Sequence, residues 1–289
     1  MKKTEMNLQS RLTLNVGGSM PVLGLGTWQL SEGKEVETAV LWALEAGYRH
    51  IDTAKIYGNE QGVGRAIAKS EIPRQEIFVT TKLWNADQGY ESALAAIDAS
   101  LARLKLSYVD LYLVHWPHAS DHREEKGAAG NKRRETWQAM EEILKSGKAR
   151  AIGVSNYTVR HLEEMKTYAS VMPAVDQVEF HPFLYQKELL EYCEKNNIVL
   201  EAYSPLVHGR RLSDERISTI AKAHHKTNAQ VLIRWSLQHG CVVLPKSARK
   251  ERIKENTGVF DFELAPTDMS ALDSLHEDYH VTWNPNNSD

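Results

Sequence analysis

Short β-rich runs alternate with segments of helical periodicity along most of the chain. The runs are RHID (49–52), IFVTTK (77–82), VDLYLVH (109–115), ARAIGVSN (149–156), VDQVEF (175–180), IVLEAYS (198–204) and CVVLPKS (241–247), with LGLGT (23–27) as the expected first. Between them lie stretches such as 91–104, where Leu94, Ile97, Leu101 and Leu104 recur at helical spacing and form one apolar stripe. Gly47 and Gly147 each follow a helical pattern and precede a strand, the place of a glycine that ends a helix. Upstream, LTLNVGGSMPVLGL alternates apolar and polar residues around Gly17-Gly18 and predicts a β-hairpin.

Strands separated by helices imply parallel pairing, and eight such units can close into a barrel. The expected fold class is therefore α/β, a (β/α)8 TIM barrel with an N-terminal β-hairpin. A doubly wound nucleotide-binding sheet also alternates strands and helices. However, GLGTWQ (24–29) lacks the third glycine of GxGxxG, and no helix starts directly behind it.

With 289 residues, 42% apolar and 25% charged, the composition is that of a globular protein with a sizeable core. No linker or composition break divides the chain, so residues 1–289 are read as one domain. The polar stretch HASDHREEKGAAGNKRR (118–134) is expected to be an extended surface loop, and 275–289 a C-terminal tail. A net charge of −3 supplies no general basic field, which argues against nucleic acid as a partner. Two cysteines outside any metal-ligand spacing make no disulfide framework and point to a reducing cytoplasm. No apolar stretch reaches the roughly 18 residues of a membrane span, and the N-terminal lysines have no apolar run behind them. The expectation is a cytoplasmic monomer acting on a small molecule, with no membrane partner and no metal.

Asp52, Lys82 and His115 end three successive predicted strands, and in a barrel all strand C-termini converge on the catalytic face. Charged groups brought together there are costly to desolvate unless they pair with one another. Tyr57 lies in the loop after Asp52 and can lean into the same mouth. Each residue alone has an ordinary structural reading; their joint placement is what singles them out.

The stretches GYRHIDTAKIYGNEQGVG (47–64), TTKLW (80–84), LVHWP (113–117), GVSNY (153–157), YSPL (203–206) and LPKSARKERIKEN (244–256) together resemble an aldo-keto reductase, in particular the bacterial branch that includes 2,5-diketogluconate and methylglyoxal reductases. The resemblance spans nearly the whole chain and implies NADPH (NADP+) as cofactor, with Asp52, Tyr57, Lys82 and His115 as the catalytic tetrad. Tyr57 is the expected proton donor, and an ammonium beside it is expected to lower its pKa from near 10 by roughly 2 units. Asp52 would hold Lys82, and His115 would donate a hydrogen bond to the substrate carbonyl.

The same resemblance implies that Ser155, Asn156 and Gln177 hold the nicotinamide carboxamide and that Tyr203 stacks on the ring. It further implies Gly26, Thr27, Asp52, Ser204 and Leu206 along the cofactor, Lys246, Ser247 and Arg252 at the 2′-phosphate, and Glu255 and Asn256 near the adenosine. Without the surrounding motifs, Ser155-Asn156 would read as a helix N-cap and 246–252 as a solvated basic helix start. Trp28, Trp84 and Trp116, with Tyr57 and His115, are expected to bind substrate as an aromatic funnel. His208, Arg210 and Arg211 read as a solvated loop or as an attraction for acidic substrates.

Some positions depart from the family pattern. Asp176 stands where many relatives have Asn, and the 118–134 segment is longer than in compact bacterial members. The short tail HVTWNPNNSD leaves Trp283 either at the mouth or in a loose end. The implied activity is reduction of aldehydes and activated ketones, dicarbonyls and keto-sugars among them. A cofactor-sensing binding module with little turnover is the alternative.

Overall fold

The computed structural model describes residues 6–119 and 128–285. A hairpin of β1 (Arg11–Thr13) and β2 (Ser19–Pro21) pairs antiparallel, Leu12 opposite Met20. Then come β3 (Leu25–Gly26), α1 (Lys34–Glu45), β4 (His50–Asp52), α2 (Glu60–Lys69), β5 (Phe78–Leu83), α3 (Tyr90–Leu104), β6 (Val109–Val114) and α4 (Ala128–Ser146). The second half runs β7 (Ala149–Ser155), α5 (Val159–Met165), β8 (Val175–Glu179), α6 (Lys187–Lys195), β9 (Val199–Tyr203), α7 (Glu215–Ala223), α8 (Asn228–Gln238), β10 (Val242–Leu244), α9 (Lys250–Glu255) and α10 (Pro266–Asp273). Strands β3 to β10 form one parallel sheet in sequence order. A parallel bridge from Leu23 to Val243 brings its two edges together, so the sheet closes into the barrel that the alternating pattern predicts.

Gly47 and Gly147 adopt φ of +95° and +77°, the left-handed conformation that ends α1 and α4 before a strand. The stripe read in 91–104 is the buried face of α3, with Ile97, Leu101 and Leu104 in the core and Leu94 packed against it. The hairpin plugs one end of the barrel: Leu14 and Met20 join Phe78, Leu111, Leu113, Ala151, Val175 and Val242 in a separate interior cluster. Side chains alternate along each strand. Above this plug the interior therefore turns polar, with His50, Thr80 and Glu201 beneath Asp52, Lys82 and Gln177, all buried.

One expectation needs correcting. Residues 120–127 of the supposed 118–134 loop lie outside the described residues, but 128–134 is the first part of α4 and not loop. Its charged residues point both ways: Arg133 is buried and reaches back to the carbonyl of Pro117 at 3.3 Å, while Arg134 and Glu135 are exposed. Among the described residues no helix is long and apolar enough to cross a membrane.

Candidate active site

Asp52 and Lys82 lie near the ends of adjacent parallel strands, and period-two alternation points both into the barrel mouth. Lys82 Nζ sits 2.7 Å from each Asp52 carboxylate oxygen, 3.0 Å from the Thr53 carbonyl and 3.4 Å from the Tyr57 hydroxyl. His115 follows β6 directly, and its ring meets those of Tyr57 and Trp84 edge-on at 5.7 and 5.4 Å. The three residues singled out at strand ends and Tyr57 from the following loop are thus one contact group.

The electrostatics overturn one expectation. Tyr57 is held well above its ordinary pKa, first by burial and then by the negative charges of Asp52 and Glu201. The lysine does not lower it because its ammonium is already taken by Asp52 and the Thr53 carbonyl, at shorter distances than the phenol. The phenol is therefore protonated near neutral pH. Burial, with the nearby Lys82 charge, holds His115 well below its usual range, so its imidazole is neutral. Burial pushes the Asp52 carboxyl up, opposed by Lys82 and by the Gln177 amide.

The residues expected at the nicotinamide converge on the same mouth. Ser155 Oγ donates to the Gln177 carbonyl at 2.7 Å, and Gln177 Nε2 donates to Asp52 Oδ2 at 2.8 Å. Asn156 takes φ of +63°, a left-handed conformation that Asn tolerates better than most residues. There its Nδ2 donates to the His115 carbonyl at 3.0 Å and its Oδ1 accepts from the Tyr203 hydroxyl at 2.8 Å. The helix N-cap is Thr158 and not Ser155 or Asn156, which leaves that pair to the mouth. Thr27 hydrogen-bonds the Asp52 carbonyl through Oγ1 at 2.9 Å, and Gly26 N–H donates to the Pro245 carbonyl. Ser204, after β9, takes φ of +50°.

A groove of about 440 Å³ is lined by residues that include Leu206, Lys246, Ser247, Arg252, Glu255 and Asn256. Lys246 and Arg252 are exposed and make no ion pair among the described residues. Two exposed cations beside a cavity fit a phosphate-bearing nucleotide. Of the tryptophans, Trp28 is 40% exposed and meets the His208 ring at 5.2 Å, whereas Trp116 is buried. Arg211 is paired with Glu277, leaving it less available to an acidic substrate.

Three functional neighbours went unread in the sequence. Glu201 hydrogen-bonds Gln177; its signal was the spacing of two from Tyr203, which puts both on the inner face of β9. Glu179 accepts from Val281 N–H at 2.7 Å, and from Thr282 N–H and Oγ1 at 3.0 and 2.6 Å. Burial raises this carboxyl, but bonds from His181, Thr282 and Val281 outweigh it and hold it below its usual range. Thr282 in turn lies 2.9 Å from the Tyr203 hydroxyl, so the tail is clasped to the rim and Trp283 stands 5.6 Å from Trp116. No local pattern in the tail announced that clasp.

Comparison with known proteins agrees with this architecture. Residues 22–277 match the Aldo/keto reductase family. The chain is similar to a glyoxal reductase of Bacillus subtilis, 49% identical over 96% of this chain and 97% of that one. Among solved structures it resembles an aldo-keto reductase from a Medee basin deep-sea metagenome library, with TM-score 0.89 and 46% identity, covering 97% of this chain and 100% of the other. A Bombyx mori aldo-keto reductase in complex with NADP superposes with TM-score 0.88 at 33% identity, covering 96% of each chain. The chain belongs to the aldo/keto reductase family and is an NADP-dependent oxidoreductase of that family.

Proposed function

We propose that this protein reduces aldehydes and activated ketones, small dicarbonyls foremost, with Tyr57 donating the proton. The observation that carries the reading is the contact group itself: a protonated phenol and a neutral imidazole share the mouth, with a chelated ammonium 3.4 Å behind the phenol oxygen. NADPH supplies the hydride when bound. Tyr57 delivers its proton to the oxygen of the reacting carbonyl; burial keeps that proton on the phenol at rest, and its transfer depends on Lys82 lowering the cost of the phenolate left behind. Lys82, held by Asp52, offsets the charge left on the phenol oxygen once the proton has gone. The neutral His115 donates a hydrogen bond that orients the carbonyl and stabilises charge developing on its oxygen.

Ser155, Asn156 and Gln177 hold the carboxamide, Tyr203 stacks on the ring, and Lys246, Ser247 and Arg252 take the 2′-phosphate. Trp28, Trp84 and Trp116 form the substrate wall, to which the clasped tail adds Trp283. The similarity to a glyoxal reductase supports dicarbonyls as the substrate class. The test is NADPH consumption followed by absorbance across glyoxal, methylglyoxal, aromatic aldehydes, diketogluconate and steroid ketones. Turnover highest on the small dicarbonyls is expected. Tight NADPH binding without turnover on any member would overturn the reading in favour of a cofactor-sensing module.

A further inference from the structure

Beyond its charge effect on Tyr57, Glu201 takes no part in the chemistry described so far, yet it is wholly buried beside the catalytic group. It is the register partner of Gln177 across β8 and β9. Gln177 Nε2 lies 2.8 Å from Asp52 Oδ2 and 2.8 Å from Glu201 Oε2. An amide nitrogen carries two hydrogens, so both are committed to carboxyl oxygens. An inverted amide would bring its oxygen, which has no hydrogen to give, against the same two oxygens. With Asp52 alone as acceptor, one hydrogen would be unplaced and the amide free to turn.

We propose that Glu201 is a positioning residue for the cofactor: by accepting the second Nε2 hydrogen it fixes Gln177 with its carbonyl oxygen Oε1 free, as the acceptor for the nicotinamide carboxamide NH2. The proposal rests on the reading of Gln177 as a carboxamide contact. Burial confines the Glu201 side chain. Its other oxygen, Oε1, has no hydrogen-bond partner among the described residues and lies 3.6 Å from His50 Nε2, which is itself 3.1 Å from Thr80 Oγ1. Burial, then the Asp52 charge, pushes the Glu201 carboxyl up to about 8, so near neutral pH it is largely uncharged. A carboxyl raised in this way still offers its Oε2 lone pairs to the Gln177 amide, and the negative charge it carries once ionised is one of those that raise the Tyr57 phenol, after burial and Asp52.

Calorimetric titration of the full chain decides the matter with two ligands: NADPH, and adenosine 2′,5′-bisphosphate, which carries the phosphate but no nicotinamide. Glu201→Leu is expected to weaken NADPH about five- to tenfold, the loss of one well-placed hydrogen bond, and to leave the bisphosphate unchanged. Glu201→Gln keeps an acceptor oxygen for Gln177 and is expected to bind both ligands within about twofold of the parent, on the same reasoning. Parent-like NADPH binding by Glu201→Leu, or equal weakening of both ligands, overturns the proposal. If Glu201→Leu does not fold, a fivefold NADPH loss in Glu201→Gln overturns it alone, and retention supports it. Gln177→Ala separates the two readings: if that variant binds NADPH like the parent, the carboxamide role of Gln177 fails first.

Discussion

The two ends of the proposed cofactor site are built on opposite terms. At the mouth, Lys82 is completely buried and already bound to Asp52 and the Thr53 carbonyl at 3.0 Å or less. In the groove, Lys246 and Arg252 are solvated and carry no ion pair among the described residues. Burying a charge pair costs desolvation that only good geometry offsets, whereas an exposed cation costs almost nothing. The first arrangement fixes groups in advance for charge that develops during reaction; the second keeps charge free for a ligand that brings its own. The comparison implies that catalysis and stability are coupled at the mouth, while affinity at the groove stands apart from both.

The sharpest break should come at Tyr57. Tyr57→Phe removes only the hydroxyl, and kcat is expected to fall by roughly 10²–10⁴-fold, the usual worth of a general acid. NADPH affinity, measured by fluorescence titration, should stay near the parent value. Unchanged turnover would remove Tyr57 as proton donor and dissolve the contrast drawn above.

Lys82→Met asks the coupling question directly. It leaves Asp52 buried without its counter-charge, and breaking such a pair by deleting one partner costs about 3–5 kcal/mol. Denaturant melts should record that loss alongside lost activity. Lys246→Ala, by contrast, should melt like the parent within about 0.5 kcal/mol, as surface changes usually do. Equal effects on stability would show that the two ends are not built differently.

At the groove the discriminating variant is Arg252→Ala. A charge-assisted hydrogen bond contributes about 1.5–3 kcal/mol, so KM for NADPH should rise about 10- to 100-fold. KM for NADH, which lacks the 2′-phosphate, should hardly move. A similar rise for both would take Arg252 away from the phosphate.

The sequence made some of this legible and hid the rest for identifiable reasons. The apolar runs marked the barrel strands because parallel strands are buried on both faces, and the strand-end rule placed Asp52, Lys82 and His115 at one mouth. The direction of the Tyr57 pKa shift was misjudged because a chain written in one line shows that a lysine is near but not that Asp52 and a main-chain carbonyl have claimed its hydrogens first. The Glu179–Thr282 clasp joins residues 103 apart and has no periodic signature. Asp176 stood out in the sequence only as a departure from the family pattern. It neighbours the inward-facing Gln177 on β8, so alternation turns it outward, toward the helix layer.

That outward turn leads to the smallest effect. The Asp176 carboxyl is completely buried, the Tyr157 backbone N–H is its one polar support and a poorly aligned one, and burial pushes the carboxyl well above its ordinary value of 3.8 against that N–H. A carboxyl raised in the folded protein binds its proton more tightly there than in the unfolded chain. Its contribution is therefore most favourable below the ordinary value, and stability is lost as pH climbs from about 4 toward the folded pKa. Asp176→Asn has no proton to lose and should remove this slope. The variant is expected to melt at the same temperature as the parent near pH 4 or slightly below it, and to gain of the order of 1 kcal/mol by pH 7, the scale of one poorly satisfied buried polar group. Because the side chain stands outside the mouth, kcat should stay unchanged over the same range. A gain independent of pH would mean that packing, not ionisation, governs this position, and a loss of turnover would mean that the mouth extends further into the wall of the barrel than its hydrogen bonds indicate.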